Sequence, residues 1–154
     1  MSRFEVDVAP EVAVLPEQGE IVRQAAVAAL EDQQQEPPAG CTIVLTSDER
    51  IQTLNATFLE TDKVTDVLSF PAGEPTPGAG GYLGDVAISM PAAERQAASG
   101  GHSLNAELQL LTVHAVLHLL GYDHAGEAEK DAMWAAQSRI LDKMGAEITG
   151  PATG

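Results

Sequence analysis

The chain has 154 residues, 44% of them apolar, with 8 basic against 23 acidic side chains and a formal net charge of −15. That length suits one domain with a proper core, and residues 1–154 read as a single domain. So large an acidic excess argues against a broad nucleic-acid-binding face, which draws on clustered Lys and Arg, and leaves room only for a small local basic site.

The opening stretch from Met1 to Val12 holds no apolar run of signal-peptide length, and no uninterrupted spanning segment follows, so a soluble cytoplasmic protein without membrane contact is expected. Cys41 stands alone, which excludes an internal disulfide and fits a reducing compartment. Its place at the start of an apolar run predicts a buried thiol.

Phe4 to Val8 alternates apolar and acidic residues, the pattern of a half-buried strand. Pro16 then opens a scaffold helix to about Gln34, with Ile21, Ala25, Ala28 and Ala29 at helical spacing. Gln33 to Gly40 is a connector, because Pro37, Pro38 and Gly40 break either regular structure. Cys41 to Leu45 reads as a buried strand. Ser47 is a good N-cap for a helix over about 48–59, and Asp48 and Glu49 suit its positive end. Ile51, Leu54, Asn55 and Phe58 fall on one face of that helix.

A strand over 64–70 ends at Pro71, and the Pro- and Gly-rich stretch 72–81 connects it to a strand over 82–90. That connection predicts antiparallel pairing. Pro91 begins a helix that Gly100 and Gly101 end, and Ser103 caps a long helix over about 104–120. Beyond it, 127–144 is amphipathic through Met133, Trp134, Ile140 and Leu141, stops at Gly145, and is expected to cover the long helix. Residues from about 146 to 154 should fray.

The chemistry concentrates at the end of the long helix, in His114-Ala-Val-Leu-His118-Leu-Leu-Gly121-Tyr-Asp-His124. Residues four apart on a helix are one turn apart, with Cβ atoms about 5–6 Å from each other, so His114 and His118 share a face. Gly121 can end the helix in a left-handed conformation and let the chain turn back, which places His124 to supply a third nitrogen. Three imidazoles at about 2.0–2.1 Å from one zinc ion would leave a fourth position open, the arrangement of catalytic zinc sites. Metzincin proteases share this spacing but carry a general-base Glu after the first histidine, and Ala115 stands there, which disfavours a protease. His102, beside Gly100 and Gly101, reads as a solvated loop residue.

Asn55 and Phe58, then Thr61 to Pro71, then Leu83-Gly84-Asp85-Val86, then the histidine stretch and Met133 together resemble the YbeY endoribonuclease family, in order over about residues 40–144. The resemblance implies an α+β fold, a small mixed β-sheet packed against several helices with a central, metalloprotease-like metal-bearing helix. It also implies one zinc ion on His114, His118 and His124, and single-strand-specific RNA cleavage in maturation of the 3′ end of small-subunit ribosomal RNA and in ribosome quality control. The sequence departs from the family pattern at Leu59, where an arginine is usual, at Ala115 for Gly, Val64 for Pro and Trp134 for Phe.

A carboxylate near the ion is expected to orient or relay protons, Asp85 first and Asp66 second. Asp66 and Lys63 are the candidates for substrate contact, and Asp123 could orient His124. The competing reading is a non-catalytic, zinc-containing ribosome assembly factor, favoured by Leu59 and the acidic charge.

Overall fold

The computed structural model describes residues 4–58, 66–72, 81–122 and 126–146. In chain order these form β1 (Glu5–Pro10), α1 (Pro16–Asp32), β2 (Gly40–Thr46), α2 (Asp48–Phe58), β3 (Val67–Pro71), β4 (Tyr82–Ser89), α3 (Met90–Gly100), α4 (Leu104–Leu119) and α5 (Glu127–Met144). The strands make one mixed sheet in the order β1-β2-β4-β3, so the expected α+β architecture is the one observed. β1 pairs parallel with β2 and β2 parallel with β4, while β3 runs antiparallel to β4 with Val67 opposite Ile88 and Phe70 opposite Asp85.

The two central strands decide the layers. Along β2, Cys41, Ile43 and Leu45 join Val86 and Ile88 of β4 in one core with residues of α1, α4 and α5. Ala87, on the opposite face of β4, packs instead with Ile51 of α2 and Leu68 of β3. The period of two along a strand thus gives each face its own helices: α1 and α4 on one, α2 on the other. Burial pushes the Cys41 thiol up to about 12, with the charges of Asp85 and Asp7 adding to it, so this cysteine is chemically quiet at neutral pH.

α4 is the hub. It packs on α1, α3, α5, β3 and β4, and residues on all its sides are buried, from Leu108 and Leu111 to Val113 and Leu117. A helix apolar all round is one that other elements surround. Its start is fixed by Ser103, whose Oγ accepts from the Ala106 amide at 3.1 Å, as the sequence predicts.

Two local readings need correction. The buried face of α1 is Val22, Ala25, Ala26, Ala29 and Leu30; Ile21 and Ala28 only flank it. The small alanines make both neighbouring stripes look alike in sequence, and the bulk of Val22 and Leu30 settles which one faces α4. His102 is no solvated loop residue. Its side chain is 9% exposed and its Nε2 lies 2.5 Å from Oε1 of Glu107, itself 3% exposed. The turn after α3 folds back over the first turn of α4 and takes the ring with it. β3 begins at Val67; Val64 and Thr65 lie outside the described residues, as do Leu59, Phe58's side chain and residues 147–154.

α5 is tied to α1 by an ion cluster. Asp32, 4% exposed, accepts from Arg139 at 2.9 and 2.7 Å and from Lys143 at 3.2 Å. The Arg139 hydrogen bond above all holds the Asp32 carboxyl far below the usual carboxylate range. A carboxyl depressed in the folded state stabilises fully above its unfolded value near pH 4 and loses that contribution as pH falls through the folded value. Asp32→Asn should therefore cost about 1 kcal/mol at pH 7, small because both cations are half exposed, with the gap to the parent closing in urea titrations below pH 4.

Candidate active site

His114 and His118 rise from the last two turns of α4, where their ring centroids are 4.8 Å apart and the planes are nearly perpendicular. His114 is buried at 3% exposure, and His118 is partly exposed. The two rings therefore form a step from the core to the surface. Gly121 has φ +102, a value that suits glycine, and ends the helix as expected: the Gly121 amide donates to the His118 carbonyl and the Tyr122 amide to the Leu117 carbonyl. His124 and Asp123 lie outside the described residues, and no cluster of three metal-ligating side chains occurs among the described ones.

The residue that sequence reasoning missed is Gln137. Its Oε1 lies 3.0 Å from Nδ1 of His114, reaching across from α5. A carboxamide oxygen only accepts, so with this contact the His114 ring carries its proton on Nδ1. This is how metal-binding histidines are usually oriented. The signal was present in sequence: Gln137 is a polar residue on the apolar stripe Met133, Gln137, Ile140 and Leu141, all buried. Gln137→Leu keeps the volume and removes the acceptor, and it should weaken zinc binding about 10- to 100-fold in a chelator competition.

Edge strand β3 lies against the same helix, with the Ser69 Oγ donating to the Ala115 carbonyl at 3.2 Å. A glycine at 115, usual in the resembled family, would offer the same carbonyl, so the alanine leaves this contact intact. Asp66, at the entry to β3, is buried, and its carbonyl accepts from the Ser89 amide at 2.9 Å. Its carboxylate is close enough to Glu107 to act on that residue's titration. Burial is the main cause that pushes the Glu107 carboxyl up, against the His102 hydrogen bond that pulls it down. Asp66, Glu107 and His102 thus form a cluster of titratable groups at the N-terminal end of α4, two turns from His114. Lys63 lies outside the described residues.

Asp85 stands elsewhere. It is exposed in mid-strand, shares the Ala87 face of β4, and accepts from the Tyr82 hydroxyl, which also contacts Thr42 Oγ1 at 2.8 Å. Gly84, at φ +141, lets β4 bulge so that Tyr82 pairs with Gly40 and Asp85 with Thr42. The histidine pair belongs to the helix packed on the other face. The structure therefore joins His114, His118 and Gln137, and separates Asp85 from them by the thickness of the sheet.

The site is thus a helix-borne histidine pair, one ring held by Gln137, beneath the edge strand of a mixed sheet. The family model described as Endoribonuclease YbeY matches residues 10–145. An endoribonuclease YbeY of Desulforamulus reducens is 42% identical over 130 residues, covering 81% of this chain and 85% of that one. Another, of Heliobacterium modesticaldum, is 46% identical over 114 residues, covering 68% and 69%. A solution structure of a Thermotoga maritima protein shares the fold with a TM-score of 0.60 at 19% identity, over 97% of this chain and 100% of that one. The chain belongs to the YbeY endoribonuclease family.

Proposed function

We propose that this protein is a zinc-dependent endoribonuclease that cuts single-stranded RNA and acts in maturing the 3′ end of small-subunit ribosomal RNA and in ribosome quality control. The observation that carries the metal part of the reading is the pairing of His114 and His118 on α4, ring centroids 4.8 Å apart, with Gln137 Oε1 3.0 Å from His114 Nδ1. His114 and His118 would hold the ion together with His124. When bound, zinc supplies Lewis-acid stabilisation of charge developing on a phosphoryl group.

The chain's own residues do the rest. Gln137 holds the His114 tautomer, and the deep burial of His114 excludes water from the inner side of the pair. Ser69 pins β3 along α4, so a strand of RNA laid on the sheet edge would pass the histidines at a fixed height. The family membership supplies the substrate class. No helix among the described residues is long and apolar enough to cross a membrane.

The test is incubation of the zinc-loaded chain with end-labelled single-stranded RNA, the matching duplex, and ribosomal RNA precursor. Cleavage of the single strand and of the precursor's 3′ extension, with the duplex spared, is expected. Intact RNA at high enzyme concentration, with the zinc retained, would favour a docking factor instead.

A further inference from the structure

On the α2 face of the sheet a cleft of about 340 Å³ lies outside the histidine site. Its walls are Val44, Leu54, Phe70 and Ala87, and its polar groups are Asp85, Glu11 and Arg50. We infer that this cleft is a base-binding subsite for the RNA substrate, taking a nucleobase with an exocyclic amino group between apolar walls, with Asp85 accepting its N–H and Arg50 facing the attached phosphate. The inference deepens the endoribonuclease reading and rests on it.

Four observations carry it. The volume is at the small end of ligand pockets, about 300–1,000 Å³, and suits one nucleotide. Aliphatic walls with one aromatic ring fit a flat heterocycle, because single-stranded nucleic acid is held largely through base faces. The acceptor is pre-oriented: the Tyr82 hydroxyl bonds Oδ1 of Asp85, so the carboxylate is aimed before any ligand arrives. A carboxylate only accepts, which selects bases rich in N–H donors. Finally, Arg50 stands at the rim beside Glu11, with Nε 3.9 Å from Oε1 in a loose ion pair, while Glu11 also accepts from Thr46 Oγ1 at 2.8 Å. The ion pair uses Nε, and the Nη groups of this half-exposed side chain remain for an anion.

The position also fits. β3 is the sheet edge, with Ser69 turned to α4 and Phe70 turned to the cleft. An RNA strand crossing that edge would meet the histidine pair on one side and the cleft on the other. The subsite would then read a nucleotide flanking the bond to be cut, not the one cut.

The experiment is titration of the full-length, zinc-loaded, isotope-labelled chain with AMP, CMP, GMP and UMP, following the amide resonances of Val44, Leu54, Phe70 and Ala87, beside a separate RNA cleavage assay. The three amino-bearing nucleotides should shift those resonances with midpoints roughly tenfold below that of UMP, a gap that Asp85→Ala removes. Val44→Trp, which fills the cleft, should abolish the shifts for all four. Equal midpoints, shifts confined to other residues, or a gap that survives in Asp85→Ala would overturn the subsite. Cleavage of RNA without shifts in the cleft overturns the subsite alone, whereas shifts with the expected gap but no cleavage uphold nucleotide binding and overturn the nuclease reading.

Discussion

His118→Ala is expected to lower bound zinc from about one per chain to a small fraction and to reduce RNA cleavage at least about 100-fold, with little change in the unfolding midpoint of the metal-free protein. In the proposed site, removing one of three imidazoles would leave two donors, too few for a tight site, and loss of even an outer partner typically costs 10- to 100-fold. His118 is the proposed ligand to remove because it is partly exposed, whereas His114 is buried against Gln137 and its truncation would also open a hole in the core. Elemental analysis, a gel assay and thermal melts in chelator together separate the metal role from a packing role. A variant that keeps its zinc, or that loses zinc and still cleaves, contradicts the assignment.

Gly84→Ala is expected to cost about 3 kcal/mol, enough to lower the melting temperature by roughly 6–12 °C. A β-carbon there would collide with the Phe70 carbonyl oxygen and come within 2.9 Å of the Pro71 α-carbon, both on the neighbouring strand. The backbone, at φ +141, is also one that side chains rarely adopt. Both objections fall on the bulge that aligns Asp85 with Thr42 and Tyr82. Gly101→Ala is the control: φ is +75, yet nothing lies within 4 Å of an added β-carbon, so the cost should be nearer about 1 kcal/mol. Equal melting shifts for the two variants would show that the close strand approach at Gly84 contributes nothing.

Much of this fold was legible because local signals agreed. The Ser47 and Ser103 caps, the glycines after α3 and α5, and the proline after Phe70 each end or begin an element within a few residues of where it is observed. The antiparallel pairing of β3 and β4 followed from adjacency in the chain. Sheet order did not: placing β4 between β2 and β3 depends on non-local burial of Val86 and Ile88, which periodicity alone cannot rank.

The site divides the same way. The spacing of His114 and His118 specifies a shared face on any helix, so their approach was predictable. Partners from other elements were not. Gln137 reaches His114 across 23 residues of sequence, and the turn between α3 and α4 folds His102 onto Glu107 and out of solvent. Asp85 stands out in Leu83-Gly84-Asp85-Val86 as a candidate carboxylate, but its side of the sheet depends on the bulge at Gly84. A slip of one residue in a strand exchanges the faces, and that is what puts Asp85 on the face away from the histidine pair.

The most direct test of the central claim is X-ray absorption at the zinc edge of the loaded protein. Three histidine nitrogens and one further light atom at about 2.0–2.1 Å are expected, with one imidazole lost in His118→Ala. A sulfur in the shell, four protein nitrogens with no exchangeable position, or a spectrum unchanged by the substitution would contradict a zinc centre built on this helix.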